Sequence, residues 1–234
     1  MGRTTLRWVG CLAVLVACSG SEGTTVENAD GTSTGRPKGN NGPALSVEAD
    51  VGAMNEARVG EAFRSAADGM LDCLGKSKVP AASGIVRVMV HVDQSGKAVK
   101  SFLKKSTLGD RRTEECMLGV IRGRSWPAPV GGKIGHAENE FAFDPPSGVR
   151  PPVAWSEGDA GKNLGAAKAV LAECSSGGPA LSATVIVDTE GNISSVGVAE
   201  DENGEGVAAC VVTGLASIKL NSPGSFPAKL SFGR

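Results

Sequence analysis

The chain has 234 residues, 24 Lys and Arg against 25 Asp and Glu, and a formal net charge of −1. That balance excludes a global electrostatic pull toward nucleic acid or anionic lipid. Aromatics make up 4% and Gly reaches 33 residues, so cores must be small, built from Val, Ala and Leu, and helped by other constraints.

In chain order, Arg3 and Arg7 precede an apolar run from Trp8 to Ala17. This is the layout of a signal peptide, residues 1–17, and is too short for the roughly 20 apolar residues of a membrane span. It ends in Leu15-Val16-Ala17-Cys18-Ser19, which resembles a bacterial lipobox with Cys18 as the lipidated residue. A secretory peptide with a chance cysteine is the plainer alternative. Cys11 also follows a small residue, but cleavage there would leave almost no apolar region. Ser19 after the cysteine fits outer-membrane sorting, with the downstream domains in the periplasm and surface exposure as the alternative. Residues 18–50 are rich in Gly, Ser, Thr and Asn with few apolar residues, and are expected to be a disordered tether.

A first module is expected over residues 51–146. Phe63, Ala67, Met70 and Leu74 make an apolar helical stripe, with Gly75 as its left-handed stop. Val86, Val88, Val90 and Val92 alternate with Arg87, Met89 and His91, which predicts a strand with one buried face. Asp93-Gln94-Ser95-Gly96 makes a hairpin turn and Lys97 to Lys105 the return strand. Asp110 caps a second helix reaching Val120 and Ile121, with Cys116 on its inner face. Trp126-Pro127 ends it, and Asn139 to Phe143 is the last strand.

Residues 147–154 read as a Pro/Gly linker. A divergent second module then spans 155–234. Ser156 to Asp159 resembles a capping box, and Leu164, Ala167, Leu171 and Cys174 line a helix. Leu181 to Val187 alternates, Thr189-Glu190-Gly191 turns, and Ile193, Val196 and Val198 return. Val207, Cys210, Val211 and Leu215 line a second helix, and Leu230 to Phe232 ends the chain as a strand. The fold class is thus α+β: two tandem α-β-β-α-β modules, each a small three-stranded antiparallel sheet covered by two helices.

Four cysteines recur at equivalent places. In an oxidising compartment an even set reads as disulfides, and equivalent placement singles out Cys73–Cys116 and Cys174–Cys210. No C-x-x-C is present, so no metal or thioredoxin-like site is expected.

Catalytic candidates are few. His91 lies near Asp93, and His136 falls in a Gly-rich loop from Gly131; neither has an obvious nucleophile, so both read as solvated histidines. Gly131-Gly132-Lys133 lacks the strand–loop–helix context of a phosphate loop. Asp72, Asp93, Glu173 and Asp188 form no repeated acidic pair. No catalytic residue, cofactor or small-molecule substrate is therefore assigned. Charge does differ between the modules: Lys104, Lys105, Arg111 and Arg112 in the first stand where Glu200, Asp201, Glu202 and Glu205 occur in the second. Either these loops face each other or a common partner, or they are solvated loops that drifted apart in charge.

Val88-Met89-Val90-His91-Val92-Asp93-Gln94-Ser95-Gly96, Ser106-Thr107-Leu108-Gly109-Asp110, Cys116 and Trp126-Pro127 together resemble the TonB/TolA-type C-terminal domain, in its cysteine-bearing AgmX/PglI-like variety. The resemblance runs from about Val59 to Pro145, and Gly191, Ile193, Val196 and Val198 echo it in the second copy. It implies a non-enzymatic binding module whose sheet edge takes up an extended peptide of an envelope protein. By that analogy Glu140, Phe141, Ala142 and Phe143 are the docking edge, though Phe141 and Phe143 also suit a core. The alternatives are a structural spacer between envelope layers and, in a third class, a hydrolase or isomerase, which would need a cleft with a perturbed acid or base.

Overall fold

The computed structural model describes residues 49–233 apart from Ser176, Gly177, Pro179, Asn203 and Glu205. The expected signal peptide, Cys18 and all but the last two residues of the 18–50 stretch lie outside the described residues.

Each module follows the order β-α-β-β-α-β. In the first, β1 (Ala49–Gly52), α1 (Glu56–Gly75), β2 (Gly84–Asp93), β3 (Ala98–Ser106), α2 (Arg111–Arg122) and β4 (Gly132–Phe143) build a sheet of order β1-β4-β2-β3. In the second, β5 (Val153–Trp155), α3 (Leu164–Ser175), β6 (Leu181–Val187), β7 (Ile193–Glu200), α4 (Val207–Leu215) and β8 (Ala228–Gly233) give the order β5-β8-β6-β7. The class is α+β and the repeat holds at the level of topology. The three-stranded antiparallel sheets are corrected to four-stranded mixed ones. A short strand ahead of each first helix pairs parallel with the module's last strand: Val51 opposite Ile134, and Ala154 opposite Lys229. β1 takes up residues assigned to the tether, and β5 starts inside the stretch read as linker.

The strands form where alternation is strongest. Val86, Val88, Val90 and Val92 are all fully buried, each stabilising by about 2 kcal/mol at most. They meet Phe63, Met70, Met117 and Ile121 from the helices. The second core repeats the pattern with Val185, Val187, Leu171, Leu215 and Leu230. Within α1 the buried stripe is Ala62, Phe63, Ala66, Met70 and Cys73; Ala67 and Leu74 sit at its margin. The helix does not stop in a left-handed residue: Gly75 stays helical and Lys76 caps it in the right-handed region. Asp110 does cap α2, accepting from the Arg112 N–H at 3.2 Å and the Thr113 hydroxyl at 2.7 Å. Ser156 and Asp159 bond as a capping box does, the Ser156 hydroxyl donating to Asp159 Oδ2 at 2.7 Å. They close a turn, however, and α3 starts five residues later at Leu164.

β4 spans twelve residues rather than the five expected from Asn139. The glycines near its start, Gly132 and Gly135, hid this, since they break the apolar alternation. They are there for space: a Cβ on Gly132 would collide with the Gly52 backbone of β1. That close approach lets β1 join the sheet and explains Gly132, while Gly131 takes φ +79° just before the strand, so neither glycine needs a phosphate.

Candidate functional site

Both disulfides join the helix pair of their own module, Cys73 to Cys116 and Cys174 to Cys210, with Cα–Cα distances of 5.8 and 5.7 Å. Cys116 is not on the inner face as expected. It is exposed, as is Cys210, whereas their partners Cys73 and Cys174 are buried and half-buried, so each bridge joins a covered cysteine to an open one. The inner face of α2 holds Thr113, Glu114, Met117, Leu118 and Ile121.

The proposed docking residues Glu140 to Phe143 occupy the far half of β4. β2 pairs with β4 along its whole length, from Asp93–Ile134 to Gly84–Phe143. On the other side β1 reaches only Gly132 to Gly135, and among the described residues no strand flanks positions 136–143 there. The direction of the backbone groups follows from Ile85. Its carbonyl accepts the Thr107 N–H at 2.9 Å and its N–H donates to the Thr107 hydroxyl at 2.8 Å. Both groups of Ile85 therefore face β3, and Ala142 opposite it turns its N–H and C=O away from β2. In an unshifted antiparallel ladder the same holds for every second residue, hence for Glu140. Phe143 is buried and Phe141 half-buried, stacked on each other at 6.2 Å with Phe63 6.0 Å from Phe141. The phenylalanines thus build the core while the strand beside them keeps an unpaired edge.

On the solvent face of this sheet Glu138 accepts from Lys104 at 2.7 Å, and Glu140 from Arg87 at 2.9 Å, with Lys105 3.9 Å away. The two lysines of the basic stretch are therefore spent within their own sheet. Arg111 donates to Glu115 on its own helix, Nε to Oε1 at 3.2 Å, but it also faces the second module. With Lys100 and Arg122 it lines one wall of a cleft of about 260 Å³ whose opposite wall carries Glu200, Asp201 and Glu202. The two charged stretches thus meet in part, through Arg111 and not through Lys104 or Lys105.

His136 is not in a loop. It lies on β4 directly opposite His91, and the two rings stack at 4.1 Å. His91 is half-buried rather than solvated, with Glu202 of the second module 3.8 Å from its Nε2. Burial, and then the neighbouring His136, hold its pKa below the usual histidine value despite Glu202. Among the described residues no group of three or more His, Cys, Asp or Glu side chains is placed to hold a metal ion. No described helix is long and apolar enough to cross a membrane.

Residues that the sequence reading did not single out join the modules. The outer face of the second sheet offers Thr184, Ile186 and Ala199, all buried. Gly109, at φ +76°, lies against Ile186 and Thr184. The Thr184 hydroxyl donates to the Ser106 carbonyl at 3.0 Å, and Lys229 Nζ to the Ser83 carbonyl at 2.9 Å. At the centre Glu114 of α2, with no exposed surface, accepts the Ser106 hydroxyl at 2.5 Å and the Val198 N–H of β7 at 2.9 Å. Burial raises its pKa from 4.5 to about 7, against the lowering effect of Ser106, Val198 and Arg111. The face shows a sequence signal in retrospect. Ser182, Thr184, Ser195, Gly197 and Ala199 are small where the first sheet carries Arg87, Lys105, Glu138 and Glu140, as suits a surface pressed against another module.

Comparison with family models, with curated proteins and with solved structures gives no match.

Proposed function

We propose that this chain is a non-enzymatic envelope lipoprotein, anchored through Cys18, which binds a protein partner by adding an extended segment to the edge of β4 at Glu140 to Phe143. The observation that carries the reading is the outer half of β4, where the N–H and C=O groups of Glu140 and Ala142 point away from β2 with no strand beside them among the described residues. Main-chain pairing there would supply affinity, and side chains alternating between the Phe141 side and the Glu138/Glu140 side would set register. The likeness to TonB/TolA-type domains supports the same mode.

Ala142→Pro tests it. Proline would remove an outward donor and break no bond to β2, so folding should change by less than about 1 kcal/mol. The partner crosslinked to the wild-type chain in cells is then expected to be lost from the variant by tenfold or more. Undiminished crosslinking would favour the alternative, a spacer lipoprotein with no specific peptide ligand. Anchoring is tested separately: labelled fatty acid is expected in the wild-type chain and absent from Cys18→Ser.

A further inference from the structure

β7 is one of the two outer strands of the second sheet, and among the described residues its edge meets a side chain rather than another strand. The Val198 N–H points away from β6 and ends on Glu114 Oε2 at 2.9 Å. Oε1 meets the Ser106 hydroxyl, which also accepts the Leu108 N–H at 3.3 Å. Gly197 makes room for this contact, since a Cβ there would overlap Glu114 Oε1 and stand 2.9 Å from the Gly109 Cα. A glycine against a buried carboxylate, across a contact between two separate cores, is a built feature and not an accident of a solvated face.

We propose that Glu114 is a proton-controlled latch, sealing the edge of β7 against the first module while it carries its proton and releasing the seam when it ionises.

The Ser106 hydroxyl donates to the ionised carboxylate; on protonation the direction reverses, the Glu114 O–H donating to Ser106 Oγ while the other oxygen keeps the Val198 N–H. The ionised form accepts from the Ser106 hydroxyl and the Val198 N–H with Arg111 nearby, but these do not offset the burial of its charge. The surroundings bear this out element by element. On α2, Arg111 Nη1 stands 4.0 Å away and favours the charge, while Asp110 opposes it. β3 offers Ser106, and β6 the uncharged Thr184 and Ile186. On β8, Lys229 is committed to the Ser83 carbonyl. On β7 the next titratable group is Glu200, in the cleft beyond.

The closed seam, with the carboxyl at about 7, holds a proton more tightly than an open one with the ordinary value of 4.5. Closure is therefore favoured in full below pH 4.5 and weakens as pH rises to about 7. The ceiling, from the gap between the two values, is on the order of 300-fold in the closing equilibrium. Opening would bare the unpaired edge of β7 in addition to the half-open edge of β4.

The test is amide hydrogen exchange on the intact chain, corrected for intrinsic rates. Protection of the Val198 amide is expected to fall more than tenfold from pH 5 to 8 while Val185 in the centre of β6 stays protected. In Glu114→Gln, which keeps one donor and one acceptor without a charge, Val198 protection is expected to be independent of pH. The same pH dependence in both proteins would overturn the latch. So would a Glu114 carboxyl carbon that titrates near 4.5 in the wild-type chain, a measurement that needs no variant. Neither outcome depends on whether β4 binds a partner.

Discussion

Gly96 and Gly191 take positive φ, at 78° and 89°, in the two Val-Asp-x-x-Gly turns. The preceding aspartates organise each turn. Asp93 Oδ1 accepts the N–H groups of Ser95 and Lys97 at 2.8 and 3.0 Å, and Asp188 Oδ1 those of Glu190 and Asn192 at 3.0 and 2.8 Å. Each glycine carbonyl then takes an N–H from the strap after the second helix, Trp126 in one module and Leu220 in the other. A Cβ on Gly96 would strike the Trp126 carbonyl. Gly96→Ala therefore combines left-handed strain with a backbone collision and is expected to cost about 2–3 kcal/mol in urea unfolding. The hydrogen bonds from Ser95 hold Asp93, and those from Asn192 hold Asp188, below the usual carboxylate pKa. Both contribute stability that is present above about pH 4 and lost as pH falls through their lower folded values, so an acid titration of the unfolding midpoint should flatten in Asp93→Asn. These turns were legible because everything they need lies within five residues. Glu114 was not: its hydrogen-bond partner is 84 positions away, and on a helix of strong amphipathic pattern a Glu reads as solvated.

At the scale of elements, the strong signals were the long ones. The Val alternation of β2, the helices and the Asp110 cap follow from local pattern, while the Gly75 stop and the Ser156 box end up capping no helix; both cysteine pairs fell where equivalent placement put them. β1 and β5, at four and three residues, are too short to show a period; each exists because a last strand offers it an edge. The bridges close 43 and 36 residues of chain. Cys116 and Cys210 are exposed, but Cys73 is buried in the core, so the cost of replacing its pair by Ala combines the lost crosslink with a small cavity at Cys73. Cys73→Ala with Cys116→Ala is expected to lower stability by up to about 4 kcal/mol, read by denaturant unfolding. The wild-type chain should lose a similar amount on reduction of that bond alone. A change below about 1 kcal/mol would mean that the helix pair is held by its packing, through contacts such as Gly69 against Val120.

For the molecule as a whole, the expectation of two modules on a linker leaves out their contact. The first module supplies an edge and a helix start; the second supplies the outer face of its sheet. Such a contact lets the modules unfold together. Ile186, 4% exposed, lies between the two cores against Gly109. Ile186→Ala is expected to weaken the seam by about 2–4 kcal/mol, and calorimetry should then resolve two transitions in place of one. Lys104→Glu with Lys105→Glu gives the complementary result. Both lysines pair with Glu138 and Glu140 inside their own sheet, so their reversal should leave the single transition intact at low salt. Arg111→Glu should split it, since Arg111 stands beside Glu114 and faces Glu200, Asp201 and Glu202 across the cleft. The contrast between the lysines at the end of β3 and Arg111 at the start of α2 separates charge that works across the seam from charge that serves the sheet that bears it.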